Sequence, residues 1–276
     1  MRNRYLYFFS GMLQKIVVFT TLEESDIPLM VCGVRVASVF RKELCLFYQA
    51  AGAAHSLDID RQLEEYRRQL HREWPALPVS VIVAPFRGER LATTLADEHE
   101  AVMLIAGASR FRQLSRALHS SPVPFLFANE KTPFHSDFRK IVFPVDLRPQ
   151  NKDAMKWALW FGKHNQSEIV AIGANDPLKQ DRQQVTSLLA ALKNLLTRAG
   201  VAHKIYKGNR SSLSVHNEGL AVAQQVEAGL FLLLGSSTVT LLDLLLGLPE
   251  EKIVKHAGNI PVLVVNPRRE TYLVCE

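Results

Sequence analysis

The chain has 276 residues, 47% of them hydrophobic and 22% charged, the profile of a globular protein with room for two ordinary domains whose cores need no disulfide or metal staple. Its formal net charge of +6 is modest, and basic residues are interleaved with acids, as in RQLEEYRRQLHRE from Arg61 to Glu73; this argues for solvated helix faces and against a nucleic-acid groove. Three cysteines, Cys32, Cys45 and Cys275, form no CxxC pair and the histidines no ligand-spaced cluster, which points to the reducing cytoplasm and against a zinc site.

The first segment, MRNRYLYFFSGMLQ, carries two arginines and a short apolar patch. The patch is too short for a signal-peptide core and no small-residue cleavage site follows it, so it reads as a loosely attached arm, with Met12 as an alternative start. From Lys15 strands and helices alternate. KIVVFT, LCLFYQA, VSVIVA, AVMLIAG and VPFLFA read as strands; DIPLMVCGVRVASVFRKE, SLDIDRQLEEYRRQLHREW, GERLATTLADEHE and FRQLSRALHS read as the helices between them. Such alternation makes βαβ units and a parallel sheet with right-handed crossovers.

EKTPFHSDFR, from Glu130 to Arg139, is polar, contains Pro133 and reads as a linker. The programme then restarts. KIVFPVD at Lys140 echoes KIVVFTT at Lys15, and KDAMKWALWFGK answers the first helix. SEIVAIGA, LKQDRQQVTSLLAALKNLLTRAG, VAHKIYKG and LSVHNEGLAVAQQVEA follow in the same order. GLFLLLG at Gly229 answers AVMLIAG, and IPVLVVN answers VPFLFAN. A repeated order of elements is the mark of an internal duplication. The halves differ at one place: Gly107 to Pro124 holds only a short helix, whereas Gly235 to Pro261 holds an extra loop before the helix PEEKIVKHAG.

Ligands of open α/β sheets bind at the carboxyl ends of the strands, so the loop from Gly235 to Gly247 is the first place to look for a site. The stretch Ala228 to Leu248 has Asp243 as its one charge. A membrane-spanning helix there would bury Ser236, Ser237, Thr238, Thr240 and Asp243, which argues against one.

Two halves that each open like KIVFPVD and close like LLLGSS…GLPEEKIVKHAGNIPVLVVNP resemble a tandem universal stress protein, over nearly all of Lys15 to Pro267. The resemblance implies two α/β domains, residues 15–129 and 139–267. Each would hold a five-stranded parallel sheet in 3-2-1-4-5 order, Rossmann-like and of the adenine nucleotide alpha hydrolase type. The domains would pack as a pseudo-dimer, with Val123 to Ala128 and Ile260 to Val265 pairing across the two-fold axis, and a homodimer of the whole chain is open.

Nucleotide-binding members of that family carry glycine, two residues, glycine, nine residues, then glycine with serine or threonine. They also place an aspartate at the end of the first strand. The glycines let the backbone close on phosphates, and the free N–H groups of the last helix hold the anion. The resemblance places Asp146 and Gly235 at the aspartate and first glycine. Ser236 and Ser237 follow; Thr238 stands at the second glycine, and Gly247 with Leu248 at the third glycine and its hydroxyl partner, one residue short. Asp146, Gly235, Ser236, Ser237, Thr238 and Gly247 thus form a degenerate nucleotide loop. An aspartate after a strand also caps the following turn.

The departures are adverse to phosphate. Thr238 adds a β-branched side chain, Leu248 removes a hydroxyl and Pro249 removes an N–H donor. Glu250 and Glu251 add negative charge, and no lysine or arginine lies between Gly235 and Glu251. In the first half Thr21 stands where Asp146 stands in the second. Arg110, Arg112 and Arg116 follow Gly107 as a solvated basic helix or, on a sharper reading, an anion or acidic-partner site.

His164, His203, His216 and His256 fall on different elements, so no catalytic triad can be assembled from spacing. Trp157, Trp160 and Phe161 sit at helical spacing and read as core or interface packing. The expected protein is a non-catalytic stress-response or regulatory module that binds a small ligand or a protein partner, without nucleic acid or membrane. The alternative is an ATP- or AMP-binding protein with slow hydrolysis, its donors supplied by Ser236 and Ser237. An adenylating or pyrophosphatase enzyme lacks its glycine-serine-rich loop here.

Overall fold

The computed structural model describes residues 14–50, 57–236 and 248–267. Ser237, Thr238 and Gly247 of the expected site lie outside the described residues, as do Cys275 and the amino-terminal arm to residue 13.

The ten expected strands are all present. In the first half these are β1 (Lys15–Thr20), β2 (Glu43–Gln49), β3 (Val79–Ala84), β4 (Ala101–Gly107) and β5 (Phe125–Ala128). They alternate with α1 (Asp26–Phe40), α2 (Leu57–Glu73), α3 (Arg90–His99) and α4 (Phe111–Ser120). The second half holds β6 (Lys140–Val145), α5 (Asn151–Asn165), β7 (Glu168–Gly173), α6 (Lys179–Arg198), β8 (His203–Lys207), α7 (Val215–Gln225) and β9 (Leu230–Leu234). It closes with α8 (Pro249–His256) and β10 (Val262–Val265).

The repeat extends to local backbone. Arg41 ends α1 in the left-handed region and Gln166 ends α5 in the same conformation, with φ of 53° and 54°. Each turn delivers the chain straight into the second strand of its half, as short αβ connections do.

The strands form one sheet in the order β3-β2-β1-β4-β5-β10-β9-β6-β7-β8. Each half has its third, second, first, fourth and fifth strands in that order, all parallel. The halves meet where β5 and β10 pair antiparallel, Phe127 opposite Val262 and Phe125 opposite Val264. The last strands therefore pair as the resemblance implied, and that pairing turns the two expected five-stranded sheets into one continuous sheet.

Strand residues alternate between two apolar layers, as a period of two requires. Ile16 and Val18 face a layer built with α1, α2, α5 and α6; Val17 and Phe19 face one built with α3, α4, α7 and α8. Both layers run through both halves. Phe40 of the first half packs edge-on against Trp157 and Phe161 of the second, with ring centroids 5.8 and 4.9 Å apart. The apolar spacing of α5 is thus interface packing, as read from the sequence. Among the described residues no helix is long and apolar enough to cross a membrane.

Because the core does not stop at the junction, the two halves should unfold together. Urea denaturation followed by far-UV circular dichroism and by tryptophan fluorescence should give coincident single transitions. Phe161→Ala should lower stability by about 3–5 kcal/mol while keeping the transition single. Separate transitions would show that the halves unfold independently.

Candidate ligand-binding site

In the second half the chain leaves β6 for β7 on one side and returns through β9 on the other, so the β6/β9 boundary is where the strand order reverses. Crevices at the carboxyl ends of such strands take ligands in open α/β sheets. Here a cleft of about 340 Å³ is lined by Asp146, Arg148, Ser212, Leu213, His216, Leu233, Ser236, Pro249, Glu250 and Ile253, among others.

Asp146 follows the last residue of β6 and is buried. Its Oδ1 accepts the Arg148 backbone N–H and the Asn151 side-chain amide, each at 2.8 Å. Its Oδ2 accepts Arg148 Nε at 2.7 Å and lies 3.4 Å from His216 Nε2. The first of these bonds is the turn-capping role open to any aspartate after a strand; the rest require Arg148 and α7. Burial by itself would raise the Asp146 carboxyl, but the His216 imidazole and the Arg148 guanidinium outweigh it and hold the group well below the usual carboxylate range.

Arg148 is the feature that spacing did not single out. Its Nη1 donates to the carbonyl of Gly235 at 2.8 Å and its Nη2 to that of Leu234 at 3.0 Å. One planar guanidinium thus ties the end of β6 to the end of β9 across the crevice, satisfying carbonyls that have left the ladder. The sequence signal was an arginine two residues beyond a strand-end aspartate. Ser212 gave no such signal. Its hydroxyl donates to Asp176 Oδ2 at 2.5 Å and accepts the Leu147 N–H at 3.0 Å.

Ser236 lines the cleft and Gly235 precedes it in the chain. A Cβ on Gly235 would sit 2.8 Å from Asn266 Oδ1, and the Asn266 amide is itself held by the carbonyl of Leu118. Packing against the end of β10 therefore explains this glycine without a ligand. The Ser236 N–H donates to Glu250 Oε1 at 2.5 Å. Glu250, only 3% exposed, thus sets a carboxylate on a donor that a phosphate in this loop would use. Pro249 at the first position of α8 removes another. Glu251 turns away to Lys255 and to Arg112 of the first half, at 2.6 and 3.2 Å. The described residues do not fit a phosphate group.

The first half repeats the plan with polarity exchanged. Thr21 stands at the strand end and its N–H and hydroxyl donate to Asp26, at the position matching Asn151. Arg110 is not the solvated residue expected: its guanidinium carbon lies 5.7 Å from the centre of the buried Phe19 ring, over the end of β1. Arg112 reaches Glu251 across the junction. The Ser109 N–H donates to Glu130 at 3.2 Å, so both halves place a carboxylate on an amide following the fourth strand. Among the described residues no His, Cys, Asp and Glu cluster could hold a metal ion.

This architecture is that of the universal stress proteins, an α/β fold with a mostly parallel, Rossmann-like sheet. A universal stress protein from Archaeoglobus fulgidus superposes with a TM-score of 0.63 at 16% identity, covering 92% of this chain and 97% of that one. A second protein so described, from Pseudomonas aeruginosa, gives 0.59 at 16% identity over 92% and 94% of the two chains. The cytoplasmic domain of a prokaryotic cation chloride cotransporter gives 0.53 at 12% identity, over 94% and 98%. No protein-family model and no curated protein matches the sequence.

The depressed Asp146 value has a pH consequence. A carboxyl lowered by folding contributes stability that is fully present above its unfolded value of about 3.9 and is lost as the pH falls below that toward the folded value. Denaturation between about pH 7 and about pH 3 should show the native chain losing stability in the acid part of that range. Asp146→Asn should be less stable at neutral pH and lose less on acidification. Arg148→Ala, which strands the buried carboxylate, should cost on the order of 3 kcal/mol, with Arg148→Lys recovering only part because a lysine cannot bridge both carbonyls and the carboxylate.

Proposed function

We propose that this chain is a non-catalytic regulatory module of the universal stress protein type, formed by two fused units at residues 15–129 and 139–267. It acts in the cytoplasm, in stress response, by binding a small ligand in the β6/β9 cleft or a protein partner beside it. The observation that carries this reading is the Glu250 carboxylate on the Ser236 N–H. A phosphate there would meet a buried negative charge and a proline in place of free donors, and no basic residue between Gly235 and Glu251 offsets it.

The side-chain chemistry supports a binding role over catalysis. A serine nucleophile needs a base within reach of its hydroxyl. The Ser212 hydroxyl is committed to Asp176, while the His216 Nε2 faces Asp146. The free, buried Cys32 and Cys45 suit a reducing compartment; burial pushes both thiols well up, that of Cys45 to about 12, so neither is a reactive thiolate.

ATP or AMP is the competing ligand, and the fold likeness is what favours it. Mass spectrometry of small molecules released from the purified, denatured chain, with calorimetric titration of magnesium-ATP and AMP, decides between them. No adenine nucleotide should be retained, and any affinity should be weaker than about 1 mM, equivalent to about 4 kcal/mol. Stoichiometric ATP or AMP in the purified protein would overturn the reading.

A further inference from the structure

We propose that the β6/β9 cleft is built for a small organic cation, an ammonium or amidinium group on a compact apolar body. This inference rests on the ligand-binding reading above and specifies the ligand. Its starting point is Glu250. The residue is 3% exposed and lines the cleft; Oε1 takes the Ser236 N–H, whereas Oε2 has no hydrogen-bond partner. A buried carboxylate with an unsatisfied oxygen is costly unless something supplies a donor or a positive charge.

Among the described residues none supplies a donor to Oε2, and between Gly235 and Glu251 the sequence has no lysine or arginine. Arg148, the one arginine lining the cleft among the described residues, already serves Asp146 and the carbonyls of Leu234 and Gly235 through Nε, Nη1 and Nη2. Asp146 and Arg148 therefore offset each other, and Glu250 is left as the uncompensated charge. Lys255 and Arg112 are paired with the neighbouring Glu251.

The rest of the lining suits the body of such a ligand. Leu213, Leu233, Pro249 and Ile253 supply apolar wall, with Leu213 94% exposed at the rim. A volume of about 340 Å³ lies at the small end of ligand pockets, suited to one ring or a short branched chain. An ammonium in the cleft would supply the donor that Glu250 Oε2 lacks, and an anion would be repelled by it.

A ligand series tests this without relying on any variant. Benzylammonium, benzyl alcohol and benzoate are similar in size and differ in charge. Titration of the full-length chain at neutral pH, read by calorimetry, should give binding in the order benzylammonium, benzyl alcohol, benzoate. Added salt should weaken the first. Glu250→Gln should lower benzylammonium affinity by about tenfold or more and leave benzyl alcohol nearly unchanged, which also shows that the variant's cleft is intact.

Benzoate binding as well as benzylammonium, no benzylammonium binding at millimolar concentration, or an unchanged affinity in Glu250→Gln would each overturn the inference. If a neutral or anionic ligand binds the cleft while benzylammonium does not, only the cation assignment falls. Retention of an adenine nucleotide by the purified chain would remove the underlying functional reading as well.

Discussion

The antiparallel pairing of β5 with β10 is the interaction on which the rest of the molecule depends. A parallel five-stranded sheet that ended at its fifth strand would expose a row of unpaired backbone groups and an apolar edge, a liability for any soluble chain. Here each half covers the other's edge, Leu126 opposite Leu263. The helices above and below then meet across the junction, so that Phe40, Trp157 and Phe161 share one buried cluster. The two halves thus complete each other: neither has its fifth strand paired on both sides without its counterpart.

With the scaffold so closed, the carboxyl ends of the strands carry two versions of one polar plan. In the second half the strand-end position holds an aspartate and the helix start an amide, Asp146 and Asn151. In the first half the helix start holds the carboxylate, Asp26, and the strand end the hydroxyl, Thr21. Both arrangements satisfy backbone N–H groups where β1 or β6 ends, and in both an arginine covers the crevice, Arg110 over Phe19 and Arg148 over the β9 carbonyls. Exchanging the acid between two positions preserves the local hydrogen bonds while changing which face is charged. That is a physical reason why the halves can share a fold and differ as sites.

The loop after the fourth strand shows the same logic. Backbone N–H groups there need acceptors, and each half supplies a glutamate from a later segment, Glu130 for Ser109 and Glu250 for Ser236. An internal carboxylate on such a donor is chemically a resident anion. It occupies the amide that follows the strand and reverses the charge that a ligand would find.

Much of this was legible in the residues themselves. Uninterrupted apolar runs such as VMLIA and LFLLL read as strands buried on both faces, and the restart of the pattern at Lys140 corresponds to a second set of five strands in the sheet. That Asp146 and Ser236 would come near one another followed from the strand boundaries, since both stand just beyond strand ends, and both line the same cleft. What the sequence could not decide was where the charges point. Arg148, Ser212, His216 and Glu250 come from four separate segments, and whether Glu250 repels a ligand from the surface or folds back onto the Ser236 N–H depends on the angle at which α8 leaves its loop. The continuity of the sheet likewise depended on two strands distant in the chain meeting edge to edge. Periodicity is a local property and the sequence by itself determined the elements; the pairing of charges and edges is a property of three-dimensional distance, which only the tertiary structure decided.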